Sequence, residues 1–511
     1  MQGVFSAGGR ALVPWSRARK PHALPRQRAH DRCLTCSIGT LPLRLSLPLA
    51  FAVLAALGPA AVHGQTLTDV WRAAAQHDPE FAAAQAARDA GHAHEAQAAA
   101  LWQPQVALEA GAALASVGSS MRGARFEAPG LGTISGARFA TTVDEGTRAM
   151  YAVSLRRPLY DRERSAQQQV LQTMADASGL AWIDAQQKLM LRSAERYFDA
   201  ALAAERLALL QRQKSAVERA ATEVQDRFQL GNLAITDTYA ASARAASLRA
   251  QHLAASTELE LSRTALSDLT GGVLPSAGTL ALPGDAASTE GVGELSRWLD
   301  LARQHNPAVL LAQARVETAV QETRKSDTAF SPTVDLVARL GHERLSGQSD
   351  TGATGQYGRQ ALIGVQLTMP LHTGGAREAR QRETQARLAQ ARAELDHARL
   401  QVARHARAAW LALSVGHEQA RALEAAAQAS QARLDATRLG VDVGDRNTLD
   451  LLNAENDAAA AKLALTQARV ELLLHRLRLS ALAGQLNETE LARVDAMLAN
   501  GAHRSTDGAG R

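Results

Sequence analysis

The sequence predicts a mainly α chain with a small transmembrane β part, built as one unit written twice: a strand pair followed by a long helical hairpin. Three observations predict it. Residues 65–271 and 293–484 echo each other position by position. Each copy holds two stretches that alternate apolar and polar residues, as half-buried strands do. Each copy then runs for more than sixty residues with no proline and a single glycine, the mark of an unbroken helix.

The echo is specific. Leu67, Ala74, His77, Pro79, Ala84-Gln85-Ala86 and Pro104 recur 228 positions later as Leu295, Ala302, His305, Pro307, Ala312-Gln313-Ala314 and Pro332. Beyond the next polar loop, Pro158-Leu159 matches Pro370-Leu371 at an offset of 212. Gly231, Asp237, Leu266 and Gly271 then match Gly444, Asp450, Leu479 and Gly484 at 213. The copies therefore share an element order and differ mainly by one loop, longer in the first.

Residues 1–64 read as a leader. An apolar run over 45–61 sits behind Arg44 and ends at Val62-His63-Gly64, which predicts a secretory signal cleaved before Gln65. The run is too short and too proline-broken for a spanning helix. The leader holds eight Lys/Arg and one acid, so the rest carries 48 basic against 50 acidic residues, about −2 rather than +5. The basic balance belongs to the leader, and a nucleic-acid partner loses its support. Cys33 and Cys36 also fall there, so the exported chain has no disulfide framework and no cysteine placed for an N-terminal lipid anchor.

In the first copy, residues 66–101 read as helix, broken at His77-Asp78 with Pro79 opening the second piece. Strands are expected at about 104–116 and 148–158, with a Gly/Ser/Arg loop over 116–147. In the second copy they are expected at about 332–342 and 360–371, with a polar loop to about 359. Each is about ten residues, enough to cross a bilayer at a tilt. Tyr151, Val153 and Leu155, with Ile363, Val365 and Leu367, form the more apolar of the alternating faces. Four strands cannot close a barrel with a lumen, so the chain must borrow strands from copies of itself.

Helical hairpins follow over 161–270 and 376–483, their outgoing arms on the order of 100 Å long. They turn at Gly231-Asn232 and between Gly440 and Gly444. Abundant Ala, with 4% aromatic residues, favours closely packed helices over a globular core. Residues 272–292 read as a linker, and 485–511 as a polar C-terminal tail.

The turn sequences Leu230-Gly231-Asn232-Leu233-Ala234-Ile235-Thr236-Asp237 and Val443-Gly444-Asp445-Arg446-Asn447-Thr448-Leu449-Asp450 resemble those of the TolC-like outer membrane efflux proteins. So do the paired His-(Asp/Asn)-Pro sites at 77–79 and 305–307. The resemblance covers about 65–484. It implies a homotrimer whose twelve strands form one outer-membrane barrel, continued by a periplasmic α-helical tunnel in a Gram-negative envelope. It implies as partners a periplasmic adaptor and an inner-membrane ABC exporter or other pump. At the tip it implies a gate in which Arg446 pairs with Asp237 and Asp450 forms an acidic ring. The second acidic position of the family is Asn453 here, and its gate tyrosine position is Val441. Helix capping is the alternative role for Thr236-Asp237 and Asn447-Thr448.

No motif assembles a nucleophile, base and orienter, a P-loop or a dinucleotide loop, so no enzyme activity and no cofactor are expected. His92-x-His94 places two imidazoles on different sides of a helix, so no metal site is expected either. Three functions compete. The first is type I secretion of a protein such as a haemolysin-like toxin. The second is a multidrug efflux duct of a tripartite pump. The third, from another class, is a periplasmic coiled-coil scaffold, which leaves the four strands unexplained.

Overall fold

The computed structural model describes residues 66–130, 132–272, 280–283, 293–349 and 352–507. The leader, both cysteines and most of the linker lie outside the described residues.

Helix α1 (Leu67–His77) opens on a capping box between Thr66 and Asp69. Asp78 ends α1 and caps α2 (Pro79–Ala100), its Oδ1 accepting from the Phe81 N–H at 2.7 Å. The second copy repeats the corner. Asn306 ends α5 (Leu295–His305) and caps α6 (Pro307–Thr328), accepting from Ala308 and Val309. Proline at the first helical position lacks an N–H that would have no intrahelical partner anyway. The corners differ in charge: buried Asp78 pairs with Arg192 at 2.6 Å, whereas Asn306 donates to the Leu482 carbonyl.

The long helices are α3 (Arg162–Gln229) and α7 (Ala376–Asp442), with α4 (Ile235–Thr270) and α8 (Thr448–Leu482) returning along them. Their seams use small and branched apolar residues. Leu210, Val217, Ala245, Leu248 and Ala255 close the first hairpin, while Leu434, Ala454 and Ala458 close the second. Small side chains bring the axes close, and the charged faces stay in water. Gly271 and Gly484 adopt left-handed backbone at φ +68° and +69°. A Cβ on Gly271 would lie 2.4 Å from the His77 ring, and one on Gly484 would lie 2.1 Å from the His305 carbonyl oxygen. Glycine thus lets the corner helices sit directly on the ends of α4 and α8.

The main core lies where α1, α3 and α8 meet, around Leu67, Val70, Tyr197, Phe198, Leu473 and Leu477. Residues 485–511, expected as a polar tail, contain helix α9 (Glu488–Asp507) instead. Leu491, Val494 and Leu498 share one face of it and are buried in this core. Asp495 accepts from the Leu67 N–H at 2.7 Å, tying α9 to the start of α1.

Strands β1 (Gln105–Ala128), β2 (Gly132–Tyr160), β3 (Thr333–Ser349) and β4 (Gly352–Thr368) form one antiparallel sheet in the order β1-β2-β3-β4. They exceed the expected ten residues. The stretches 116–147 and 343–359, expected as loops, are mostly paired strand. Beyond Val117 and Val143, β1 and β2 pair only with each other, and such a ribbon satisfies its backbone without an apolar face, so no alternation marks it. A bulge at Asp144-Glu145, where Glu145 has φ +49°, separates this ribbon from the four-stranded part.

Candidate functional site

Cross-strand partners in an antiparallel sheet project to the same side, so the register defines two faces across all four strands. One carries the rows Val106/Leu155/Ala338/Ile363 and Leu108/Val153/Leu340/Ala361, with Leu336 and Val365 below and the exposed Arg157 beside them. These side chains are half-buried to exposed; Ile363 is 77% exposed and Leu108 72%. Below Arg359, apolar residues follow at alternate positions from Ala361 to Met369, and the ten residue steps from 359 to 369 rise about 26 Å at a tilt near 40°. That is the height of a bilayer's apolar layer.

The other face is polar, and its charges are paired. Arg156 meets Asp335 at 2.5 Å, Arg148 meets Glu343 at 2.6 Å, and Arg339 reaches Glu109 at 3.1 Å. Sequence reasoning missed these pairs. Each charge stands at an alternating position that could be read, but the pairing depends on a register set between distant segments. Strands β1 and β4 each have one unpaired edge within the chain. Among the described residues no helix is long and apolar enough to cross a membrane.

The far end of the molecule is formed by the two hairpin turns. Gly231 and Gly444 hold φ of +76° and +82°, which the turns require and side-chain-bearing residues rarely adopt. Asp237 lies in the first turn of α4, whose N-cap is Ala234 and has no side-chain cap, so Thr236 does not cap the helix. Asn447 does cap α8. It accepts from the Asp450 N–H at 2.7 Å, and the Asp450 carboxylate accepts in return from the Asn447 N–H. Arg446 is exposed and folds against Gly440 of its own turn, where an added Cβ would meet it at 2.7 Å.

Within one chain the structure does not bring Arg446 and Asp237 together; no ion pair joins them among the described residues. The packing order explains this. Helix α3 packs on α4, α7 on α8, and α3 on α8, where Leu452 enters the first hairpin's seam and Gln213 donates to Asn456 at 3.2 Å. At this end helices α4 and α7 are therefore the outer flanks, which keeps Asp237 and Arg446 apart within the chain.

Where α6 begins and α8 ends, these two helices with α3 and α7 surround a cleft of about 580 Å³. Its walls include Val402, Ala409 and Leu482, with His405 and His475 among the polar groups. Burial, then the nearby Arg478, holds the His475 imidazole below its ordinary value. Tyr197, whose oxygen accepts from the Ala281 N–H, is pushed up to about 12 by burial. His92 is exposed beside Glu95, and no group of three metal-ligating side chains occurs among the described residues.

The outer membrane efflux protein family matches residues 70–272 and 298–485. The chain is 26% identical over 454 residues to the outer membrane protein TolC of Vibrio cholerae, covering 88% of this chain and 98% of that one. It is 27% identical to the proteases secretion protein PrtF of Dickeya chrysanthemi, covering 87% and 93%. The Campylobacter jejuni CmeC outer membrane channel has the same fold, with a TM-score of 0.64 at 16% identity over 84% of this chain and 89% of that one. The long helices are thus the periplasmic part of an outer-membrane channel protein, not of an enzyme, and the chain belongs to the outer membrane efflux protein family.

Proposed function

We propose that three copies join edge to edge, so that their sheets close one twelve-stranded barrel with the apolar face in lipid and the paired charges in the lumen. The carrying observation is the sheet itself. It has one exposed face of bilayer height that is apolar except for Arg157, one charge-paired face, and two edges that hydrocarbon cannot satisfy. The helical hairpins continue this barrel as a tunnel whose tips are held shut by Arg446 of one chain against Asp237 of the next. Three Asp450 carboxylates near the axis favour cations there. A periplasmic scaffold needs no such sheet.

The cargo in this reading is a protein, delivered by an inner-membrane ABC exporter through a periplasmic adaptor in type I secretion. The likeness to PrtF, a proteases secretion protein matched over nearly its whole length, supports this. The test compares a deletion strain with its parent. Loss of one secreted protein from the medium, with unchanged drug susceptibility, is expected. An unchanged set of secreted proteins with marked drug hypersensitivity would assign the chain to a multidrug pump instead.

A further inference from the structure

The rim of the apolar face at the strand-turn end carries an unbalanced positive charge. Directly above the apolar rows, Tyr151, His342 and Arg359 share one cross-strand row, and Arg344 and Tyr357 share the next but one residue up the same face. Arg344 and Arg359 are exposed. The Arg344 guanidinium lies 5.3 Å from the centre of the Tyr357 ring, and its Nε donates to the Ser346 hydroxyl at 3.3 Å. Neither arginine has an ion-pair partner among the described residues. No acidic residue stands on this face at either row. The acids at this height, Glu109 and Glu343, belong to the opposite face, where Arg339 and Arg148 hold them.

This segregation has a physical meaning. Two unpaired guanidiniums at the headgroup level of a membrane attract anionic groups, and a guanidinium fork matches the oxygens of a phosphate in two-point contact. Tyrosines beside them suit the boundary between apolar and polar layers. The helices lie in the periplasm, so the strand turns face outward and this rim meets the outer leaflet. There the abundant anionic headgroups are the phosphorylated sugars of lipopolysaccharide. We propose that Arg344 and Arg359, with Tyr151, His342 and Tyr357 beside them, form a binding surface for the phosphates of a lipopolysaccharide headgroup, one surface on each copy of the chain. The inference rests on the reading that the apolar face meets lipid.

The full chain, reconstituted in phosphatidylethanolamine vesicles, is titrated with lipopolysaccharide and with its enzymatically dephosphorylated form, and retained glycolipid is measured by native mass spectrometry. Intact lipopolysaccharide is expected to stay bound, with retention falling on the order of tenfold after dephosphorylation or in the Arg344→Gln/Arg359→Gln variant. Retention unchanged in that variant would overturn the proposal, as would equal retention of phosphatidylglycerol. The lipid reading is checked separately with a fluorophore on Ile363→Cys and on Leu362→Cys in brominated lipid. Quenching at 363 but not 362 upholds that reading; if lipopolysaccharide retention nevertheless ignores the arginines, the headgroup surface alone is refuted. Absence of quenching at 363 would remove the foundation itself, and the proposal with it.

Discussion

Replacing Arg156 by alanine tests whether burial, rather than the number of ion pairs, governs the stability of the sheet. Asp335 is 2% exposed and Arg156 54%, with 2.5 Å between them. Removing the arginine strands a carboxylate that has already left water, which costs about 3–5 kcal/mol. The pair Arg339–Glu109 lies on the same face, but its members are 42% and 54% exposed. Arg339→Ala should therefore cost only about 0–1 kcal/mol. Converting both partners to apolar residues, Arg156→Met with Asp335→Leu, should recover most of the loss, because no unpaired charge remains. The assay is urea unfolding of the vesicle-inserted protein, followed by the gel mobility of the folded form. The reasoning fails if Arg156→Ala costs under about 1 kcal/mol, or if the double replacement is as damaging as the single one.

Three further outcomes are expected. Val365→Arg should impair membrane assembly by roughly 2–4 kcal/mol at mid-bilayer while Gln366→Arg is tolerated; equal effects would reverse the assignment of faces. Arg446→Ser should raise single-channel conductance without loss of the folded assembly, and Asp450→Ala should lower cation preference. The Arg446 variant with unchanged conductance and lowered thermal stability would make the residue a stabiliser of its turn. Burial keeps the folded-state value of His475 below the ordinary 6.5, so the unfolded chain takes up a proton first as the pH falls. Stability should then decline as pH drops below about 6.5 and level off once the folded protein is protonated too. His475→Gln should flatten that decline in denaturation midpoints measured at pH 7.5, 6.5 and 5.5.

The duplication made much of the architecture legible. Once His77, Pro79 and Gly271 are seen again as His305, Pro307 and Gly484, corner and column joint follow from proline and glycine chemistry alone. The ends of the strands did not follow, because residues 117–143 pair only with each other and leave no apolar stripe to read. Helix α9 was missed for a different reason. Leu491, Val494 and Leu498 have helical spacing, but three apolar residues in a polar setting become meaningful only when α1 and α8 supply the surface they cover. At the tips, the role of Asn447 as a cap was readable from its place before a helix. The position of Arg446 against its own Gly440 was not, since it depends on how the turn closes.

The sheet joins segments far apart in the chain: Arg156 and Asp335 are 179 positions from one another. An entire helical hairpin must emerge between β2 and β3. At typical synthesis rates of about 5–20 residues per second, the β1–β2 ribbon waits on the order of 10–35 seconds for its neighbour. During that interval it presents a bare edge and an oily flank, the combination that recruits stray strands. Assembly of this protein is therefore a race between completion and aggregation. The half-made sheet is the intermediate that a holding chaperone has most reason to shield.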